Sequence, residues 1–444
     1  MRARVAVAAA ATLLGFASGA WANGRFPKTN QLVVMQTNPS VVVVRSTFGV
    51  LFSKDRGQNW DWVCEQGIGY GGVEDPAIGI TSSGTVLLAA FEGLAVSPDT
   101  GCSWSTIGGP LAKQFFVDVA VRPDNPHAAV AIASTYDGDG GAQSFYSQIF
   151  ETTDDGAHWT AYGDPLDPTF VVATVDVSAT DPHRVYVSAT KTASTRTAAI
   201  FVSKTDGTQW TSTNIPLVSA AETSVFIAAV DPKNADVVYV RTGDETGTQP
   251  SRLLVSSDGA QTFTQRYAGG PMLGFALAPD GSKVYLGGPT DGLEIAKATD
   301  LAFTRRSTLQ VGCLATSGST LYACSSDVSG FIVGASTDDG ATFAPLLHLC
   351  SVRGPLACGA GTAAAVCPAS WPNVASQISD PCVSPDGGPP PGADGGADAG
   401  PGVPASGKSG GCAAAPGAVG AGGGALVTLG IAVALLGRKR RKRP

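Results

Sequence analysis

The sequence predicts an all-β chain, a seven-bladed β-propeller of four-stranded blades. Two repeating patterns carry that expectation: a turn motif of the form S/T-x-D-x-G-x-x-W/F and, upstream of each copy, a pair of short apolar runs. The motif is intact at Ser53, Asp55, Gly57 and Trp60; at Ser97, Asp99, Gly101 and Trp104; at Thr152, Asp154, Gly156 and Trp159; and at Ser336, Asp338, Gly340 and Phe343. Two copies are worn. Thr205 replaces the Asp in the copy running from Ser203 to Trp210, and Ala260 replaces the Gly in the copy with Ser256, Asp258 and Phe263. A seventh, at residues 296–303, keeps little beyond Phe303. The seven closing aromatics are separated by 44, 55, 51, 53, 40 and 40 residues, periods that fit four-stranded blades.

The apolar runs supply the first two strands of each blade. In chain order they are residues 32–35 and 41–44, 78–80 and 86–89, 117–121 and 128–133, 175–177 and 185–187, 227–230 and 237–240, 275–277 and 284–286, and 311–314 and 321–323. Polar turns, often with Pro or Gly, join the members of each pair, as at Arg122-Pro123-Asp124-Asn125-Pro126, Asp181-Pro182, Asp231-Pro232 and Pro279-Asp280-Gly281. Short β-branched runs bounded in this way read as strands joined by tight turns. The motif then falls between the third and fourth strands.

Its chemistry is that of a turn. A short Asp or Ser side chain accepts hydrogen bonds from backbone N–H groups a few residues on. The Gly takes positive φ, and the aromatic opens the next strand as a buried anchor. The pattern resembles the Asp-box (BNR) repeat of the sialidase-like superfamily, found in sialidases, sortilin-type receptors, xyloglucanase-type glycosidases and photosystem II assembly propellers. That resemblance implies that Asp55, Asp99, Asp154, Asp258 and Asp338, with Trp60, Trp104, Trp159, Trp210, Phe263 and Phe343, are structural. It also implies that they lie on the face away from any ligand.

The two ends of the chain predict export and anchoring. Arg2 and Arg4 precede an apolar stretch, residues 5–16, and Ala20-Trp21-Ala22 offers a cleavage site, so residues 1–22 read as a signal peptide. The propeller is expected over residues 23–348 and a Cys-rich cap over 349–382. Residues 383–411 consist almost wholly of Gly, Pro, Ala, Asp and Ser, the composition of a disordered linker. Beyond Cys412 lie an uncharged span, residues 418–437, and six basic residues at 438–443; such a span suits a transmembrane segment with a cytoplasmic C-terminus. Residues 410–444 resemble the MYXO-CTERM sorting signal of myxobacterial surface proteins. The resemblance implies processing by a rhomboid-type or similar sorting protease, lipid attachment at Cys412, and display on the outer membrane of a Gram-negative cell.

Cysteine and charge bound the rest. Eight of the nine Cys fall in the exported region: Cys64, Cys102, Cys313, Cys324, Cys350, Cys358, Cys367 and Cys382. An even number in an oxidising compartment reads as four disulfides. A Cys64–Cys102 clip between blades one and two and a Cys313–Cys324 hairpin bridge are expected, with the last four Cys in a loop-rich cap. No C-x-x-C or His spacing suits zinc. The formal charge of −7 includes eight basic residues at the two ends (Arg2, Arg4 and residues 438–443), so residues 23–437 carry −15. An acidic body repels phosphate backbones, which argues against nucleic acid. A monomer is expected.

No catalytic signature emerges. Arg25-Phe26-Pro27 only faintly echoes the arginine motif of sialidases, and the scattered carboxylates Glu74, Asp75, Glu92, Asp137, Asp139, Glu222, Asp244 and Glu245 sit in no diagnostic pattern. The four histidines, His127, His158, His183 and His348, support no Ser-His-Asp site. The second-to-third-strand loops of blades three, four and five, read as residues 134–147, 190–198 and 242–251, are long and should rise from the face opposite the turn motifs. They carry the candidate ligand-binding residues Tyr136, Asp137, Asp139, Phe145, Tyr146, Asp244 and Glu245. Calcium is the only cofactor considered, at Asp137 and Asp139, where the full EF-hand pattern is absent. The expected role is non-catalytic binding of an extracellular glycan or partner protein, with a glycoside hydrolase or a structural envelope component as alternatives.

Overall fold

The computed structural model describes residues 28–71, 74–112, 114–136, 144–191, 196–244 and 247–378. The signal peptide, the linker, Cys382, Cys412 and the 418–437 span lie outside them. Among the described residues no helix is long and apolar enough to cross a membrane.

Seven antiparallel sheets follow one another along the chain. Strands A to D of blade one are Thr29–Val34, Val42–Ser46, Gly49–Ser53 and Trp60–Val63. Blades two to seven repeat the A-B-C-D meander over residues 77–106, 116–162, 171–215, 224–269, 274–307 and 313–347. The A strand of blade one packs against those of blades two and seven, which closes the ring. B and C strands are buried on both faces, as in Val42, Val43 and Val44 or Val185, Tyr186 and Val187, and so read as continuous apolar runs rather than alternating ones.

A strands present an unpaired edge to the middle of the ring, which must find partners. Side chains from the adjacent blade supply them. Gln31 exchanges two 3.0 Å hydrogen bonds with the backbone of Ile78. Asp118 accepts from Val175 N at 2.9 Å, Thr174 Oγ1 from Ile227 N at 2.9 Å, and Asp176 from Val230 N at 3.3 Å.

The turn motif lies between strands C and D, and its geometry recurs. In six blades the hydroxyl of the Ser or Thr accepts from the N–H four residues on at 2.8–2.9 Å. Asp55, Asp99, Asp154, Asp258 and Asp338 then accept from the next N–H but one at 2.7–3.0 Å. Thr205 does the same through its hydroxyl, from Gln209 N at 3.1 Å. Two successive residues take positive φ, for example Asp339 and Gly340 at +58° and +80°. A Cβ at Gly340 would sit 2.2 Å from Leu293 of the preceding blade. Ala260 nonetheless adopts φ +67° and is buried, so blade five keeps the turn despite its missing Gly. Blade six does not: only Leu301 has positive φ there, and its N–H bonds to Lys297 O.

Blade one carries a fifth strand, Val352–Pro355, parallel to Trp60–Val63. Arg353 pairs with Asp61 at 2.6 Å, and Trp371 packs on Trp62 with ring centroids 5.4 Å apart. The expected Cys64–Cys102 clip does not form. Cys64 bonds to Cys367 and Cys102 to Cys358, because the returning chain lies along the outer edge of blade one, between the two sites. The segment expected to be a loop-rich cap is therefore a latch joining the end of the ring to its start. Cys313–Cys324 forms as expected, across directly paired strands, and Cys350 is also disulfide-bonded.

Candidate functional site

Strand direction sorts the connections into two ends. A–B turns and motif turns share one end and bond to each other: Arg56 N to Ser40 O, Asp155 N to His127 O, and Gly259 N to Asp236 O. B–C loops and the D–A connections between blades share the other. The first end is densely self-satisfied. His127, His158 and His183 all pair there with Asp side chains, at 2.8, 2.6 and 2.8 Å. Hydrogen bonds from His158 hold Asp154 at about 2, and Thr262 and Thr342 do the same for Asp258 and Asp338.

The second end carries the exposed apolar surface. Among the described residues the exposed large hydrophobics are Phe91, Phe115, Tyr136, Tyr146, Val218, Leu273, Val328 and Val366. All but Val366, which belongs to the latch, lie on B–C loops, on D–A connections or at the loop ends of strands B and C. Phe91, 53% exposed, and Phe115, 43% exposed, meet edge to face at 6.3 Å across blades two and three.

Of the residues proposed from sequence, Tyr136 and Phe145 are directly opposed at the tip of the blade-three hairpin, rings 5.7 Å apart. Tyr146 projects from the same tip. The hairpin strands run further than expected: Ser134 pairs with Ser147, and in blade four Thr190 pairs with Ala198, so the loops are shorter than the sequence suggested. Thr135, Tyr136, Phe145 and Tyr146, β-branched and aromatic, extend the blade-three ladder beyond the expected strand ends. Asp137, Asp139 and Glu245 lie outside the described residues. Asp244 caps its own loop, accepting from Thr248 N and Gln249 N at 2.9 and 3.0 Å. Glu222 is structural: burial alone would raise it, but Arg252 and Thr242 hold it low, and it also anchors Val218 N at 2.8 Å. Among the described residues no three His, Cys, Asp or Glu side chains converge to hold a metal ion.

Beside Phe91 lies a group that sequence patterns did not bring together. The connection from blade one to blade two places Glu65, Tyr70, Glu74 and Asp75 near Glu92 of the blade-two B–C turn. Glu74 accepts from Phe91 N at 2.9 Å, and Glu92 from Gly71 N at 3.2 Å. Burial, then the Glu92 carboxyl hydrogen-bonded to it, pushes Glu74 up to about 8. Burial and Asp75 push Glu65 up to about 7. With both Glu74 and Glu92 ionised, Glu74 Oε1 is buried without a donor among the described residues; a proton shared between the two carboxyls supplies one. Tyr70 is buried, and its hydroxyl has no hydrogen-bond partner among the described residues. After burial, the charges acting on that hydroxyl are those of Glu65, Arg45, Asp75 and Glu74, which puts it within the cluster. Arg45 lies alongside, donating to the Asp75 and Pro76 carbonyls at 2.7 and 3.0 Å. The available signal was an apolar residue in a tight turn, Phe91-Glu92-Gly93, and the adjacent pair Phe115-Phe116.

No protein-family model matches the chain, and no curated protein does. Among solved structures it is similar to an ancestral GH74 enzyme, with TM-score 0.53 and 14% identity over 71% of this chain and 46% of that one. This chain thus spans just under half the length of that enzyme. Weaker likenesses are to hydrazine synthase of Kuenenia stuttgartiensis, TM-score 0.46 at 13% identity over 72% of this chain and 99% of that one, and to an α-L-arabinanase of Penicillium chrysogenum, TM-score 0.38 at 14% identity over 56% and 88%. At 14% identity the likeness to the GH74 enzyme is one of fold alone.

Proposed function

We propose that this chain is a non-catalytic binding module for an extracellular glycan or a partner protein, engaged on the end that carries the B–C and D–A connections. One observation carries the reading. The propeller's exposed large hydrophobics gather on that end, whereas the opposite end spends its polar groups on its own turns. Aromatic side chains among polar loops are the usual furniture of such sites. Hydrolysis is the second reading, because no pair of carboxylates on this end falls in a pattern that marks a general acid and its partner, and the same screen tests it. The test is a screen of the full-length protein against polysaccharides and chromogenic glycosides. Saturable binding without turnover is expected; turnover abolished by replacing one carboxylate on this end would overturn the assignment.

The turn motif's kinship with the Asp-box repeat belongs to the same proposal, as do export, anchoring and surface display. They rest on the sequences of residues 1–22 and 410–444. Surface protein is expected to have lost residues beyond the Cys412 region, and Cys412→Ala to block that maturation. Intact mass of surface material still containing residues 438–444 would make the tail a plain membrane anchor.

A further inference from the structure

We propose that Arg241 of blade five is a carboxylate subsite, and that it takes a uronic acid unit of a glycan lying on the B–C and D–A end. This rests on the glycan reading above and narrows it to a glycan with spaced carboxylates.

Strand B of blade five, Val238–Gly243, runs towards the B–C loops, and Arg241 stands directly opposite Phe226 of strand A. Its guanidinium lies over the Phe226 ring, 4.3 Å from the centroid, and Nη1 donates to Met272 O of the next D–A connection at 3.2 Å. Ring and carbonyl hold the group from two sides. Its Nε and Nη2 make no hydrogen bond, and no carboxylate of the described residues lies within ion-pair distance. These donors are not sealed in. Arg241 is only half-buried, and among the described residues the guanidinium nitrogen buried without a partner is Arg184 Nε. The free edge of Arg241 is therefore open to solvent.

The other inward-facing arginines show that this is unusual in the fold. Arg122 pairs with Asp124 and Glu151, Arg184 with Asp181 and Asp236, and Arg252 with Glu222. Arg45 is the fourth residue of its B strand, as Arg241 is, and donates to Asn30 Oδ1 and to the Asp75 and Pro76 carbonyls. Asp244, the acid whose charge reaches Arg241, accepts instead from Thr248 N and Gln249 N. Burial with no counter-ion in contact lowers Arg241 to about 10. A stacked guanidinium with one edge open matches the two oxygens of a carboxylate. Leu273, beside Met272 and 36% exposed, supplies apolar surface for the C–H face of a sugar ring, and Phe91, Phe115, Tyr136 and Tyr146 offer more on the same end. Residues 23–437 carry −15, which repels a densely charged polyanion. Isolated carboxylates on a neutral backbone meet both conditions.

The test is calorimetric titration of the full-length protein with D-glucuronate and with a xylotriose bearing one glucuronic acid. The methyl esters of both, hexaglutamate and inorganic phosphate are the comparisons. Both acids are expected to bind, and their esters at least about tenfold more weakly, the scale of one lost charge-assisted contact. Arg241→Lys, which keeps the charge and loses the fork, and Arg241→Met, which keeps the stem over Phe226, should each weaken the acids about tenfold. Arg241→Met should also raise the unfolding midpoint, since it removes a desolvated charge that lacks a partner. The acid–ester comparison on the wild-type protein decides the matter if neither variant folds. Equal affinity for acid and ester, or affinity untouched by Arg241→Met, overturns the subsite while leaving a glycan-binding face standing. Hexaglutamate binding as tightly as the acidic xylotriose overturns it in favour of an acidic protein partner, and phosphate binding as tightly as glucuronate reduces it to a general anion site. No binding of either acid overturns the subsite outright, and the polysaccharide screen then judges the broader reading separately.

Discussion

Removing the two latch disulfides tests how this ring is held shut. Cys102–Cys358 and Cys64–Cys367 are nested, with sequence separations of 256 and 303 residues. In the chain-entropy account, closing a loop of 256 residues stabilises the fold by about 5.5 kcal/mol. Once either bond exists, the other closes only the difference between the two separations, 47 residues, worth about 4 kcal/mol. Losing one pair should therefore cost about 4 kcal/mol whichever pair is removed. Losing both should cost about 9.5 kcal/mol, more than the sum of the single losses.

The assay is reversible denaturant unfolding of the Cys102→Ser/Cys358→Ser variant, the Cys64→Ser/Cys367→Ser variant and their combination. Cys64 and Cys367 are both buried, so replacing them adds a packing loss that Cys→Ala controls can gauge. The sign of the coupling is the discriminating quantity. Strictly additive losses would refute the nested-loop account, and single losses below about 1 kcal/mol would mean that the bonds add no effective constraint to the unfolded chain.

Three further expectations follow from the geometry. Asp55→Ala and Asp338→Ala should each lower the unfolding midpoint only modestly, because the turn N–H groups they release face water, and should leave ligand affinity unchanged, whereas Ala260→Gly should raise the midpoint by relieving a left-handed Ala worth about 1 kcal/mol; a denaturation series compares all three. The contribution of the shifted Asp carboxyls to stability should peak at about pH 4. Burial pushes Asp118 to about 7 and Asp176 to about 6, so their contribution is full below about 4 and lost as pH rises to about 7; Asp154, Asp258 and Asp338, held at about 2, lose theirs as pH falls below about 4. Asp118→Asn should flatten the alkaline side of that profile, and an unchanged profile would remove Asp118 as its cause. Phe91→Ala with Phe115→Ala should abolish ligand binding while the melting temperature holds, because both rings are exposed; retained binding would move the site off this edge of the face.

The blades were legible because their cause is local. Each motif turn is built by side chains bonding to backbone within five residues of themselves, so Ser53, Asp55, Gly57 and Trp60 announce it without tertiary context. Thr205 and Ala260 appear as damage in the sequence, yet a hydroxyl still accepts from Gln209 N and an Ala still takes positive φ. The latch was illegible for the opposite reason. Cys64 and Cys102 lie near each other in sequence and on neighbouring blades, and nothing local reveals that residues 349–378 return to the edge between them. The Glu74–Glu92 pair likewise arises from two connections meeting, one a D–A crossing and one a B–C turn.

That contrast bears on where the function lies. At the motif end the same hydrogen bonds recur blade after blade, and Asp side chains that could meet a ligand are bound to their own backbone or to His. At the other end the seven connections share no motif. They differ in length, they expose Phe91, Phe115, Tyr136 and Tyr146, and they bury a Tyr70 hydroxyl that has no hydrogen-bond partner among the described residues. Orphaned buried polar atoms cost stability; the A-strand edges avoid that cost, because Gln31, Asp118, Thr174 and Asp176 reach into the next blade, whereas Ser82 Oγ, Asp155 Oδ1 and the Tyr70 hydroxyl bear it among the described residues. What separates the two ends is therefore the exposed aromatic surface gathered at the irregular one, and the proposed binding rests on that.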